Sequence, residues 1–320
     1  MSDFTRPTIM LKDSFDRTID YLRVSLTDRC NLRCRYCMPE EGVEKFQHQD
    51  ILSFEEINRV IKITRELGIS KFRFTGGEPF LRKGALEFFE ELTIRDIYIT
   101  SNLAIEGLDV ERINQLKLGG LNVSCDSLEP ARYHRITRWG DLNVFIKNIK
   151  RVKIDNLKIN VVVIKDFNED EIVDFIRFGV AHRATIRFIE KMDFTPDDME
   201  FSSLQVIKQR LIDDQIIGPE SYRIHNSVSE YHPLIGEQGS VGFITPITNS
   251  FCAGCNKIRL KANGELKLCL FGKDSYNLRD ILRTEPDDDR VKSWLTEIIR
   301  YKPAEPIIKK ADETMAEIGG

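Results

Sequence analysis

Cys30-Asn31-Leu32-Arg33-Cys34-Arg35-Tyr36-Cys37 follows directly on an apolar–polar alternation, residues 21–26, that reads as a β-strand. Three thiols in a CxxxCxxC spacing at the end of a strand can converge on one inorganic centre. An iron–sulfur cube normally takes four protein thiolates, and this run supplies three. A metal position left open by the protein is a place where a small molecule can bind and react. A zinc knuckle with a distant fourth ligand is the alternative for this spacing, although neither a His nor a fourth Cys stands nearby to complete it. Free core thiols are a poor account, because three cysteines in eight residues are improbable as packing.

Beyond this loop the chain settles into a regular alternation. Ser53, with Glu56 three residues later, is the signature of a capping box and opens a helix to about residue 67. Strands are predicted at 71–75, 96–100, 121–124, 157–163 and 185–189, with helices at 84–92, 109–118, 141–152 and 169–180 between them. Counting 21–26, six strands alternate with helices, which is the pattern of an α/β fold on a parallel sheet, open or partly closed. Functional residues then belong beyond the carboxyl ends of the strands. After residue 200 come one helix, 202–213, and shorter stretches rich in Gly, Pro, Ser and His, so the chain divides into 1–200 and 201–320. The His residues show no ligand-like spacing.

Strand periodicity carries chemistry. In Lys71-Phe72-Arg73-Phe74-Thr75 a period of two puts Lys71, Arg73 and Thr75 on one face and both Phe on the other. Arg23 and Ser25 share a face of the first strand, and Thr185 and Arg187 of the last. Both faces of a parallel sheet are normally covered, and burying unpaired charge costs several kcal/mol per ion. Three strands directing cations to one side argue for an anionic ligand, with polyphosphate the natural candidate for Arg and Lys together. Gly76-Gly77-Glu78-Pro79 follows Thr75 at once: the glycines permit close backbone approach, and a carboxylate there can hold an ammonium group.

A second cysteine group lies at Cys252, Cys255 and Cys269, around a hairpin turning at Ala262-Asn263-Gly264. A two-residue Asn-Gly turn would set Lys261 opposite Leu266. A three-residue loop with Gly264 left-handed instead pairs Leu260 with Leu266 and Ile258 with Leu268, and the alternation selects it. That register sets Cys269 on the face of Lys257 and Arg259, near the other two thiols. A zinc half-site would want a fourth ligand that the hairpin does not provide.

A length of 320 residues, 41% hydrophobic and 31% charged, describes an ordinary globular chain. The net charge of −4 does not indicate a surface that coats nucleic acid. No apolar run is long enough to span a bilayer, and residues 1–11 lack the layout of a signal peptide. Seven cysteines in two groups of three, plus Cys125 as a core thiol, do not form a disulfide framework and point to a reducing cytoplasm.

The cluster loop with Tyr36 before its last Cys resembles that of the radical S-adenosylmethionine (SAM) enzymes. Asp20-Tyr21-Leu22-Arg23-Val24-Ser25, Thr27-Asp28-Arg29, Met38-Pro39 and the second cysteine group are similar to the GTP 3′,8-cyclase family, which opens molybdenum cofactor biosynthesis. The resemblance covers the chain from about Arg17 to the end. It implies an incomplete (β/α)6 barrel, with a β-containing C-terminal segment closing its open side. It implies two 4Fe-4S clusters, one on Cys30, Cys34 and Cys37 and one on Cys252, Cys255 and Cys269. SAM would lie near Tyr36, Gly77, Glu78, Ser101 and Ser124. GTP would lie near Arg23, Lys71, Arg73, Thr75, Lys165, Arg187, Met192, Lys257 and Arg259. Its guanine would approach the second cluster, and the terminal Gly319-Gly320 would enter the cavity.

The expected partners are a flavodoxin- or ferredoxin-like electron donor and the downstream cyclic pyranopterin monophosphate synthase, with the chain a monomer or homodimer. A two-cluster radical SAM enzyme acting on a peptide, and a non-catalytic zinc-stabilised nucleotide-binding protein, are the competing readings. The sequence departs from the family pattern at Lys257, where Arg is usual. It also departs at Asp16, Leu103, Arg138 and Asp166, where Gly is usual.

Overall fold

The alternation read along each strand becomes, in three dimensions, a sheet whose two faces differ in kind. A computed structural model describes residues 10–94, 97–195, 199–224, 227–305 and 313–319. Six strands run parallel in sequence order: β1 (Tyr21–Ser25), β2 (Lys71–Thr75), β3 (Ile97–Ser101), β4 (Gly120–Ser124), β5 (Leu157–Val163) and β6 (Thr185–Glu190). Between them come α1 (Phe54–Glu66), α2 (Ala85–Glu91), α3 (Val110–Gln115), α4 (Pro130–Thr137), α5 (Leu142–Ile149) and α6 (Ile172–Ala181). Leu22, Val24, Phe72, Phe74, Ile99, Leu121, Val123, Ile159, Val161 and Phe188 bury their side chains in the core the helices cover. The opposite face carries Tyr21, Arg23, Lys71, Arg73, Thr100, Asn122, Lys158, Asn160 and Arg187, as the period of two requires. The predicted capping box on α1 forms: the Ser53 hydroxyl accepts from the Glu56 amide at 3.1 Å, and the Glu56 carboxylate accepts from the Ser53 amide at 2.7 Å.

Beyond β6 lie α7 (Leu204–Asp213), β7 (Glu230–Pro233), β8 (Ser240–Ile244), β9 (Lys257–Leu260), β10 (Glu265–Lys267) and β11 (Tyr276–Asn277). They are followed by α8 (Leu278–Thr284), α9 (Asp288–Ile299) and a short tail helix, α10 (Met315–Ile318). The six-strand sheet expected from the sequence is thus extended at both edges, in the order β11-β10-β9-β1-β2-β3-β4-β5-β6-β8-β7. The incomplete barrel has the expected β-containing C-terminal segment at its open side. There β8 adds in parallel to β6 and β9 adds in parallel to β1, so among the described residues one sheet of eleven strands, not closed into a barrel, results. An unpaired strand edge is a liability, and each C-terminal strand satisfies one by main-chain pairing. The β9–β10 hairpin has the predicted register, Leu260 opposite Leu266, with Gly264 at φ 81°.

Candidate active site

The first thiol group sits on a loop braced from several sides. The Arg33 and Arg35 amides donate to the Thr137 and Ile136 carbonyls, and the Cys37 amide donates to the Cys34 carbonyl at 2.9 Å. Arg138 donates to the carbonyls of Arg33 and Met38 at 2.9 and 3.0 Å. Gly77 lies so close to the start of this loop that a Cβ would meet the Arg29 carbonyl oxygen at 2.2 Å, which explains the residue type. All three thiols are free. Burial pushes Cys30 up to about 11 and Cys37 up to about 12, and the Cys30 thiol and Asp126 add to the effect at Cys37. Such a crowded, desolvated trio becomes a set of thiolates only beside a strong positive centre. Among the described residues, no three Cys, His, Asp or Glu side chains close to the spacing of a single ion. Sulfurs around one zinc would stand only about 3.8 Å apart, from 2.3 Å bonds.

Beside Cys30 is a buried carboxylate. Glu78 accepts from the Ser101 hydroxyl at 2.9 Å, the Asn102 amide at 2.7 Å and the Phe80 amide at 3.2 Å. Burial outweighs these bonds and pushes its acid up to about 7. Glu78 and Ser101 are therefore one unit, with Ser124 at the end of β4 on the same rim. A residue that sequence reasoning missed joins them: Asp126 accepts from the Tyr36 hydroxyl at 2.7 Å and the Val162 amide at 2.8 Å, and burial raises it to about 6.

Across the sheet, register alone aligns Arg259, Arg23 and Arg73 in one row, and Lys257, Tyr21 and Lys71 in the next. Flat strands would put β6 about 24 Å from β1 at 4.8 Å per step. Yet Arg187 and Arg73 both lower the Arg23 pKa, with burial and Arg259 the larger causes, so the sheet curves to bring the cations together. Burial also takes Arg187 down to about 10, against the opposing pull of Tyr231. Gly242 makes room for this side chain, since a Cβ there would meet the Arg187 Cγ at 2.9 Å.

The cations are fixed by neutral oxygens. Arg73 donates to the Tyr21 hydroxyl at 2.5 Å and the Thr100 hydroxyl at 3.2 Å. Arg187 donates twice to the Asn160 amide oxygen at 2.9 and 2.6 Å, and Lys257 donates to the Asn256 amide oxygen at 2.8 Å. Among the described residues, Lys71, Arg73, Arg187, Lys257 and Arg259 make no ion pair with a carboxylate, and the buried Arg259 Nη1 has no hydrogen-bond partner. Arg73, Arg187 and Lys257 are thus oriented but not neutralised, an arrangement that can hold an anion.

Of the other predicted residues, Thr75 lies at the end of β2 and Met192 just past β6. Lys165 does not join the cations: it is half exposed and pairs with Glu200 at 2.7 Å, because the chain turns outward at Asp166, φ 54°. At the second thiol group, Cys252 and Cys255 flank a 3₁₀ turn, and Arg259 is within electrostatic reach of both Cys255 and Cys269. Burial pushes Cys255 up, but the charges of Lys302 and Lys257 with their hydrogen bonds bring it below the usual thiol value. Arg17 donates to the Cys252 carbonyl at 2.9 Å, and the buried Lys302 ammonium joins the carbonyls of Lys257 and Leu268 at 2.9 and 2.5 Å. Gly319, at φ 90°, packs against Ser25, and its carbonyl accepts from the Thr75 hydroxyl at 2.6 Å. Gly320 lies outside the described residues.

Two family descriptions match the chain: Radical SAM superfamily over residues 24–179 and Molybdenum Cofactor Synthesis C over 184–306. The GTP 3′,8-cyclase of Syntrophomonas wolfei is 40% identical over 304 residues, covering 91% of this chain and 93% of its own. That of Alkaliphilus metalliredigens is 38% identical, covering 97% of this chain and all of its own. The chain belongs to the GTP 3′,8-cyclase family. It is a radical SAM enzyme of the molybdenum cofactor route, and membership implies a 4Fe-4S cluster and SAM. The crystal structure of Streptococcus suis SuiB bound to S-adenosylmethionine has a TM-score of 0.61 at 16% identity, over 90% of this chain and 69% of that one, and shows the shared fold. Among the described residues no helix is long and apolar enough to cross a membrane.

Proposed function

We propose that this chain converts GTP to (8S)-3′,8-cyclo-7,8-dihydroguanosine 5′-triphosphate, and that its two thiol groups hold separate 4Fe-4S clusters. The observation that carries this reading is the set of cations on one face of the sheet, with Arg73, Arg187 and Lys257 fixed by neutral oxygens and Lys257 and Arg259 beside the second thiol group. A triphosphate supplies the missing anion, and Arg and Lys are the residues that recognise it. When bound, the first cluster and SAM would supply the hydrogen-abstraction chemistry at the ribose C3′ that its bonding to guanine C8 requires, with one further electron and a proton completing the dihydro product.

The chain's own residues do the rest. Glu78, held by Ser101 and the Asn102 amide, presents a carboxylate to the SAM ammonium group. Asp126 orients Tyr36 at the cluster loop. Arg23, Lys71, Arg73, Arg187, Lys257 and Arg259 fix the phosphates, leaving the nucleoside at Cys252, Cys255 and Cys269. The tail at Gly319 covers the ends of β1 and β2 and helps exclude water. Residues 1–200 then carry the SAM site, and 201–320 the second cluster and the tail. A flavodoxin- or ferredoxin-like donor would deliver the electron. The product requires a synthase that rearranges a cyclised nucleotide to a pyranopterin.

The deciding experiment is anaerobic incubation of reconstituted protein with SAM, reductant and GTP. The expected result is the cyclised nucleotide, with eight irons per chain. Zinc without iron, or SAM cleavage that GTP does not influence and no nucleotide product, would overturn the reading.

A further inference from the structure

The same face of the sheet holds a cation that neither the cluster motifs nor the family resemblance singled out. Lys158 is the second residue of β5, and the period of two sets it beside Asn160 on the inner face. Its register partners are Asn122 on β4 and Thr185 on β6, both neutral. The Lys158 ammonium donates to the Asn156 amide oxygen at 2.5 Å. That amide is itself fixed: its nitrogen donates to the Gly119 carbonyl at 2.6 Å, which turns the oxygen toward Lys158. The next glycine is required for this placement, since a Cβ at Gly120 would meet the Asn156 nitrogen at 2.7 Å. Lys158 thus repeats the arrangement of Arg73, Arg187 and Lys257, a cation aimed by a neutral oxygen. Among the described residues it makes no ion pair with a carboxylate.

The charges that face it are Arg187 on β6, Arg73 and Lys71 on β2, and Tyr21 on β1. Flat strands would hold β5 about 14 Å from β2, so Lys158 reaches these residues across the curved face and not along it. Burial and the three cations take its pKa down to about 8, with Tyr21 opposing them. Among the described residues no carboxylate pairs with these four positive groups; Tyr21, Tyr231 and Asp20 oppose them only in part, and a structural role alone does not justify the cost.

The geometry points to Lys158 as the residue that binds the terminal phosphate of the nucleotide and so selects triphosphate over diphosphate. This deepens the GTP reading and rests on it. In strand order, Lys257 and Arg259 on β9 stand beside Cys255 and Cys269, where the nucleoside would lie. Passing along the cations from β9 through β1 and β2 to β5 and β6 is passing from the nucleoside toward the far end of the phosphate chain. Lys158 stands at that far end, with Arg187.

The test is calorimetry of GTP, GDP and GMP binding to anaerobically reconstituted wild type, Lys158→Met and Lys158→Arg. Iron content and far-UV circular dichroism serve as folding controls. Wild type should bind GTP more tightly than GDP. Lys158→Met should lose at least tenfold in GTP affinity and less than threefold for GDP and GMP, which removes the preference, and Lys158→Arg should restore most of it. An equal loss for all three nucleotides, or no loss for GTP, would overturn the role of Lys158 while leaving the cyclase reading intact. If Lys158→Met fails the folding controls, Lys158→Arg decides alone: a longer, forked cation should keep the GTP preference, and loss of GTP binding in a folded Arg variant would refute the assignment. A wild type that binds guanosine as tightly as GTP would instead sink the triphosphate reading itself.

Discussion

Four of the five positions read as departures from the family pattern share a positive φ. Asp16, Leu103, Arg138 and Asp166, all read as standing where Gly is usual, have φ of 60°, 52°, 65° and 54°. Each of these residues holds a positive φ without being glycine, at a cost of about 1 kcal/mol or more per residue. Asp166 is exposed and its carboxylate makes no bond among the described residues, so Asp166→Gly should raise stability by roughly 0.5–1 kcal/mol, measured by denaturant unfolding. Leu103→Gly should do the reverse: its side chain is wholly buried, and removing it costs about 2–5 kcal/mol, more than the strain relieved. Opposite signs at two positions with the same dihedral would separate strain from packing, and equal destabilisation would refute the strain argument. Arg138 repays its conformation differently, since its guanidinium braces the cluster loop. The departures were legible in the sequence. Their cause was not, because φ is set by the tertiary path and not by the residue.

At the level of the strand, what could be read was whatever a period of two controls. The inner faces of β1, β2 and β6 were found that way, and so was the register of the β9–β10 hairpin. The same reading applied to β5, Leu157-Lys158-Ile159-Asn160, would have found Lys158, because it sits as Arg73 sits in β2. Partnerships set by distant segments could not be read: the edges that β8 and β9 complete, the outward turn that takes Lys165 to Glu200, and the Tyr36–Asp126 bond across 90 residues. The cation face also sets a pH dependence. Tyr21 is lowered from 10.0 to about 8: burial would raise it, but the charges of Arg73, Arg23 and Lys71 and the Arg73 hydrogen bond prevail. Lys158 falls to about 8 chiefly by burial. Both folded values lie below the unfolded ones, so between pH 8 and about 10 the unfolded chain binds more protons. The contribution of these two groups to stability therefore rises with pH across that window. A triphosphate pushes both groups back up, so its binding takes up protons and should weaken as pH rises through 8. Calorimetry of GTP at pH 7 and pH 9, in buffers of different ionisation enthalpy, checks the sign. An affinity that rises with pH would show that these groups do not face the phosphates.

Over the whole molecule, the C-terminal tail joins the two thiol-bearing halves. Glu313 bridges Lys261, at 2.6 Å, and Lys267, two ammonium groups that are themselves buried, and so ties the tail to the β9–β10 hairpin. Breaking this link with Glu313→Gln should cost about 2–4 kcal/mol, on the low side for buried pairs because the carboxylate is a quarter exposed. Thermal unfolding and faster deuterium exchange at 315–319 would report it, and unchanged exchange would show that the link does not hold the tail. From Glu313 a capping box, Thr314 with Glu317, starts α10, which is too short to persist without docking. The Ala316 amide donates to the Cys37 carbonyl at 3.4 Å, and Gly319 ends the helix in a left-handed turn against β1 and β2. One tail thus touches the β9–β10 hairpin, the first thiol loop and the inner face of β1 and β2. A Cβ on Gly319 would stand 2.6 Å from the Ser25 Cβ, which is backbone-anchored and cannot swing aside. Any side chain at 319 must lift the helix end and break the Thr75 bond, yet it touches no thiol. Gly319→Ala should therefore keep its iron content and its melting temperature within a degree or two, because few core contacts depend on the tip. Formation of the cyclised nucleotide should fall at least tenfold, since the cover over the site no longer seats. Assaying product beside iron content for the two proteins decides it. Undiminished turnover by Gly319→Ala would mean that the docked tail is packing and takes no part in the reaction.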